Sequence, residues 1–126
     1  KHIAASWMNH PNMPADKIPY WDFNAPDIPN ALRDASAAAI MASSLIELSQ
    51  FVEEPLKQNY LAFAESQLRT LASPQYLAET GTNGCFILKH GVGHLPGNSE
   101  VDVPLTYGDY YFVEALLRYR KLVLHR

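Results

Sequence analysis

Hydrophobic positions along the chain fall into four stretches with helical period, separated by two long polar, proline-rich intervals. Near the start, Ile3 and Trp7 share one helix face and Pro11 ends the pattern, which reads as the last turns of a helix. The stretch after Asp34 is apolar on almost every side: Ala37, Ala38, Ala39, Ile40, Met41, Ala42, Leu45, Ile46 and Leu48 leave Glu47 as the only charge before Glu53. Such a pattern predicts a helix to about Phe51, buried all round. Asp34 is suited to cap it, because its carboxylate can accept from the free N–H groups of Ser36 or Ala37. Pro55 fits the opening turn of a third helix with a stripe of Leu56, Tyr60, Phe63, Ala64, Gln67, Leu68 and Leu71 at three- and four-residue steps. A fourth is predicted from about Tyr107 to Leu122, with Tyr110, Val113, Leu116, Leu117 and Arg120 giving its period. Arg118, Arg120 and Lys121 complement the negative end of its dipole. Cys85 to Leu88, apolar and flanked by glycines, suits either a short strand or an extended segment.

The interval from Pro11 to Arg33 holds five prolines together with Tyr20, Trp21 and Phe23. Proline forbids a long helix there, and the aromatics argue against a disordered linker. The second interval, Gly91 to Thr106, carries Pro96, Gly97, Asn98 and Pro104. Each interval leads into a helix, so if the second and fourth helices run parallel, both loops stand at one end of the bundle. The fold class is all-α. One partial and two full helices cannot enclose a helix that is apolar all round. The first residue also falls inside an element with no N-cap before it, so the expectation is a portion of a longer helical domain with further helices upstream.

Composition narrows the partners. The 126 residues are 48% hydrophobic and 18% charged with a net charge of −3, a globular balance without any basic run. A domain of this size buries roughly two-thirds of its unfolded surface. No electrostatic footprint for nucleic acid is present, and no apolar stretch approaches the length of a membrane span. Cys85 stands alone, forms no disulfide within the chain, and is expected as a small core residue rather than a nucleophile.

The candidate chemistry is carried by loops. Asp22, Asp27, Asp34, Glu100, Asp102 and Asp109 are the acidic candidates. Capping is the plainer reading for Asp34 and Asp109, and loop bracing for Asp22. His90 and His94 have the spacing of a helical metal pair, but Gly91 and Gly93 oppose a helix there. A polar contact to a ligand is the more natural role, since a neutral imidazole both donates and accepts. Tyr20, Trp21, Tyr107, Tyr110 and Tyr111 offer flat faces that suit either sugar rings or simple packing. No phosphate-binding loop, nucleophile elbow or zinc spacing occurs, which leaves glycan handling.

Two motif groups give this direction a name. Tyr20-Trp21-Asp22-Phe23-Asn24-Ala25-Pro26-Asp27-Ile28-Pro29-Asn30, followed by Arg33-Asp34-Ala35-Ser36-Ala37-Ala38-Ala39-Ile40, resembles glycoside hydrolase family 88, the unsaturated glucuronyl hydrolases. His90-Gly91-Val92, Gly97-Asn98-Ser99-Glu100-Val101-Asp102 and Tyr107-Gly108-Asp109-Tyr110-Tyr111-Phe112 with Glu114-Ala115-Leu116 resemble that family's C-terminal block. The resemblance implies that residues 1–126 are roughly the last third of an (α/α)6 barrel, a single catalytic domain. The Asp34 and Tyr107 helices would be inner ones, the Pro55 helix an outer one, and both loops would stand at the cleft.

The family removes a 4,5-unsaturated uronic acid from the non-reducing end of lyase-derived oligosaccharides by hydrating a vinyl ether. An aspartic acid protonates the double bond and directs water onto C5, with no metal or organic cofactor. The family's catalytic aspartates lie in upstream segments, so the resemblance assigns no catalytic residue here and implies that this chain alone is inactive. It places His94, Asn98 and Ser99 near the sugar beyond the cleaved bond; Trp21 and Asp109 complete the expected substrate-binding set. The expected partner is an unsaturated uronic-acid oligosaccharide, with association through exposed helix faces if the chain is a fragment, in a bacterial cytoplasm or periplasm. The alternative reading is a non-catalytic helical module that binds glycan or protein through its loops. A new active site built from the aspartates at the helix starts is a third.

Overall fold

A computed structural model describes residues 1–125. The α-helices are α1 (His2–Met8), α2 (Ala35–Leu48), α3 (Leu56–Leu71) and α4 (Thr106–Arg118), with no strand among the described residues. A short 3-10 turn, Ser49–Phe51, extends α2, and a wider helical turn, Tyr119–Val123, extends α4. The Cys85 to Leu88 segment forms no strand: Cys85 closes a 3-10 turn, Asn83–Cys85, Phe86 is extended, and Leu88 makes an isolated bridge with Leu77.

The centre of the packing is α2. Its Ala35, Ala38, Ala39 and Ala42 are fully buried with Leu45 and Ile46, and small side chains let α3 and α4 approach it closely. Gly108 of α4 lies against Ser36 so tightly that a Cβ on it would stand 3.2 Å from the serine Cβ. Further along, Ser43 of α2 meets Glu114 and Arg118 of α4. These contacts make the two helices parallel, so their N-termini share one end. The C-terminal end of α3 reaches that end too, where Gln67 and Thr70 donate to the carbonyls of Lys17 and Asp16. The inward face of α3 is Tyr60, Phe63, Ala64, Gln67, Leu68 and Leu71, as its sequence stripe predicts apart from half-buried Leu56.

Three expectations are corrected. First, α4 buries Gly108, Phe112 and Ala115, while Tyr110, Val113, Leu116 and Leu117 of the periodic stripe are 41–61% exposed. Second, α2 is covered by α3 and α4 but leaves Ala37, Ile40, Met41 and Ser44 along an open groove beside Ile3 and Trp7 of α1. Both helices therefore carry more apolar surface than these packed elements cover. Third, Cys85 is exposed: Gly84 and Cys85 both adopt left-handed backbone (φ 61° and 67°), which turns the thiol outward before Leu88 enters the core.

Candidate functional site

Both loops gather at the end of the molecule where α2 and α4 begin. Asp34 organises this end. One carboxylate oxygen accepts from Ser36 N (3.0 Å) and from the Ser36 hydroxyl (2.7 Å), capping α2 as its sequence position predicts. The same oxygen accepts from Val92 N at 3.2 Å, which ties the second loop to the cap. The N–H of Ala35, also free at the helix start, donates to the His90 carbonyl at 3.0 Å.

From this anchor the second loop runs out as a narrow hairpin. Gly91 and Val103 exchange both backbone bonds at 2.8 and 2.9 Å, Gly93 N donates to Glu100 O at 2.8 Å, and His94 and Ser99 exchange bonds of 3.0 and 3.1 Å. A single 3-10 turn, Leu95–Gly97, closes the tip, with Asn98 left-handed at φ 52°. The hairpin brings His94, Asn98 and Ser99 together on its exposed tip. Among the described residues, nothing hydrogen-bonds to these three side chains. The glycines are needed for close approach: a Cβ on Gly97 would collide with the His94 imidazole, and one on Gly93 with the Glu100 side chain.

Asp109 behaves differently from Asp34. It lies in the first turn of α4 but does not cap it; its two oxygens accept from Ile87 N and Leu88 N, each at 2.8 Å. The carboxylate is thereby committed to the backbone of Ile87 and Leu88. Beside it, Tyr107 has its phenol pKa raised, first by burial and then by the Asp34 and Glu100 carboxylates, with a hydrogen bond to Ser36 partly offsetting them. The proton is thus held more firmly than on a free tyrosine.

The first loop is braced by its own groups. Asp22 accepts from Asn24 N at 2.8 Å, the bracing role expected of it. Trp21 is half-buried, packed with Tyr20, Ala25, Ile28 and Ala31. Arg33 holds the loop's exit: it donates to Ile18 O (2.6 Å), pairs with Asp16 (2.9 Å) and lies over the Tyr20 ring at 4.6 Å. His90 and His94 do not converge. His90 faces Asp102 at 2.7 Å while His94 lies on the tip, and no group of three or more metal-ligating side chains forms among the described residues. No described helix is long and apolar enough to cross a membrane.

One polar cluster escapes sequence reading. The buried Ser43 hydroxyl donates to Glu114 (2.6 Å) and accepts from Arg118 (3.0 Å), and Arg118 also pairs with Glu47 at 2.9 Å. The available signal was two four-residue spacings, Ser43 to Glu47 and Glu114 to Arg118, which place complementary groups on the facing sides of α2 and α4.

Comparison with known proteins agrees with this architecture. The chain superposes with a TM-score of 0.92 and 57% identity on the crystal structure of an unsaturated glucuronyl hydrolase specific for heparin, covering 95% of this chain and 32% of that one. With the Streptococcus agalactiae unsaturated glucuronyl hydrolase the TM-score is 0.82 at 32% identity, over 93% of this chain and 29% of that one. The architecture is therefore part of an (α/α)6 barrel. In sequence, the chain is 51% identical over 118 residues to the unsaturated glucuronyl hydrolase of Formosa agariphila, covering 94% of this chain. It is 35% identical over 111 residues to the unsaturated chondroitin disaccharide hydrolase of Streptococcus pyogenes. No family model matches the chain. By these relatives the chain belongs to glycoside hydrolase family 88, the unsaturated glucuronyl hydrolases. It spans 28–29% of the length of the curated relatives it matches.

Proposed function

We propose that residues 1–126 act as the C-terminal portion of a single (α/α)6-barrel domain that removes a 4,5-unsaturated uronic acid from the non-reducing end of an oligosaccharide. The observation that carries this reading is the similarity to unsaturated glucuronyl hydrolases at 51% identity along nearly the whole chain. In the reaction, a proton is added to C4 of the double bond and water to C5, giving a hemiketal that rearranges and releases the sugar. The proton donor, an aspartic acid, comes from outside this stretch. Residues 1–126 supply inner helices α2 and α4, outer helix α3, and two loops at the rim.

Within that frame the hairpin tip meets the sugar beyond the cleaved bond. His94, Asn98 and Ser99 offer an imidazole, an amide and a hydroxyl, a mixed set of donors and acceptors suited to sugar hydroxyls. Trp21 offers part of its face from the first loop. Asp109 contributes by holding Ile87 and Leu88, since both its oxygens are engaged there. The open faces of α2 and α4 are where further helices of the barrel pack. A crystal structure of a mutant of the Streptococcus agalactiae relative holds dGlcA-GalNAc6S, an unsaturated glucuronyl disaccharide of 6-sulfated N-acetylgalactosamine, and the same class of ligand is expected here. No observation favours a non-catalytic module.

The test is an assay of the full-length gene product on an unsaturated disaccharide, following the ultraviolet absorbance of the C4–C5 double bond. Loss of absorbance is expected; a flat trace across lyase products of several glycosaminoglycans overturns the reading.

A further inference from the structure

We propose that His90 and Asp102 are positioning residues for sugar recognition: their side chains clamp the root of the hairpin and so fix where His94, Asn98 and Ser99 stand relative to the start of α2. The inference rests on the reading above that the tip meets the sugar.

The His90 imidazole Nδ1 lies 2.7 Å from Asp102 Oδ1. A carboxylate only accepts, so Nδ1 carries the proton and donates it. This contact runs diagonally across the Gly91–Val103 pair, from His90 just outside it on the outgoing arm to Asp102 just inside it on the returning arm, and adds a side-chain link to the last backbone pair at the root. Both residues hold left-handed backbone, φ 62° at His90 and 51° at Asp102. Glycine would take that conformation without strain, so their side chains are retained against a local cost.

The two ends of the clamp are held unequally. His90 is fixed from behind: its carbonyl accepts from Ala35 N, and its ring stands edge-on to Tyr76 at 5.9 Å. The Tyr76 ring is itself fully buried. Asp102 lies on the returning arm of the hairpin, which is tied to the outgoing arm through the neighbouring Gly91–Val103 backbone pair, and its bond to His90 adds a side-chain link from the fixed start of α2 to that arm. The pair is 42% and 43% exposed. An exposed pair contributes little to global stability, so its effect is local and reads out at the tip.

The test uses the full-length gene product with Asp102→Gly, Asp102→Asn, His90→Ala and the Asp102→Gly/His90→Ala double variant. Steady-state kinetics on the unsaturated disaccharide are measured together with hydrogen exchange of the hairpin amides. Asp102→Gly relieves the backbone and deletes the clamp; Asp102→Asn keeps an acceptor and tolerates the left-handed backbone. Asp102→Gly is expected to raise KM about tenfold with kcat within about threefold. It should also speed exchange at the Gly93, His94 and Ser99 amides about tenfold, leaving α2 and α3 unchanged. Asp102→Asn should stay within about twofold of wild type, and the double variant should be no worse than either single one.

Wild-type KM and exchange in Asp102→Gly overturn the clamp, since a role confined to backbone strain predicts that result. Asp102→Asn as impaired as Asp102→Gly assigns the effect to charge and overturns it too. If the wild-type protein leaves every disaccharide intact, the functional reading falls and takes the link to sugar with it, while the exchange measurement still decides whether the pair holds the hairpin.

Discussion

The carboxylate of Asp34 caps its own helix and at the same time accepts from Val92 N, 58 residues further along the chain. One side chain thus joins the first loop, the start of α2 and the base of the hairpin. Asp34→Ala leaves a helix-start N–H and a loop N–H without their partner, and is expected to cost about 1–3 kcal/mol of unfolding free energy. Asp34→Asn, which keeps an acceptor, should cost less than half as much. Chemical denaturation of the full-length gene product measures both, and equal stability of Asp34→Ala and wild type would contradict the double role.

Asp109 gives a second, independent prediction because its two oxygens serve two donors. Asp109→Asn retains one acceptor and presents an NH2 group to the other N–H, leaving Ile87 or Leu88 unpaired. A loss of about 1–3 kcal/mol is expected. Hydrogen exchange should quicken at Ile87 and Leu88 rather than within α4. Faster exchange confined to α4 would show that the side chain serves its own helix instead.

The two aspartates differ in how much of their role the local sequence carries. Asp34 directly precedes an apolar helix, so capping is a local matter of spacing and is visible in the chain. Asp109 occupies a similar place beside α4, yet its partners are 21 and 22 residues away, and no local spacing announces them. The stripe of Tyr110, Val113, Leu116 and Leu117 fails for another reason. Periodicity finds the apolar face of a helix but not what covers it, and in α4 the smaller residues Gly108 and Ala115 with Phe112 make the contact to α2. The closeness of that contact depends on residues that add little hydrophobic signal. In the site, the loop positions of His94, Asn98 and Ser99 came from resemblance, and their convergence on one tip needed the backbone pairing of the hairpin.

Gly97 tests that tip with a change that adds one carbon. Its backbone is not left-handed, so alanine meets no conformational barrier, but the added Cβ collides with the His94 ring. Gly97→Ala should therefore displace His94 with a change in global stability below about 0.5 kcal/mol, as for other surface substitutions. If His94 meets the sugar, KM rises while the melting temperature holds. An unchanged KM would remove His94 from the substrate contacts.

Burial of Tyr76 against the root of the hairpin predicts an alkaline limit. Tyr76 is 1% exposed, its hydroxyl has no partner among the described residues, and desolvation with a lesser push from Asp16 raises its pKa to about 12. The folded state therefore keeps the proton after the unfolded chain, titrating near 10, has begun to lose it. Stability from this group is complete below about pH 10 and drains away between about 10 and 12, because there the unfolded state binds fewer protons than the folded one. Tyr76→Phe removes the titration and also an unsatisfied buried hydroxyl, so at neutral pH it should be neutral or slightly stabilising. Above pH 10 the variant's unfolding free energy should fall with a shallower slope, by up to one proton's worth, than that of wild type. Parallel slopes would place the hydroxyl in contact with water, and a large loss at neutral pH would mean that it has a hydrogen-bond partner after all.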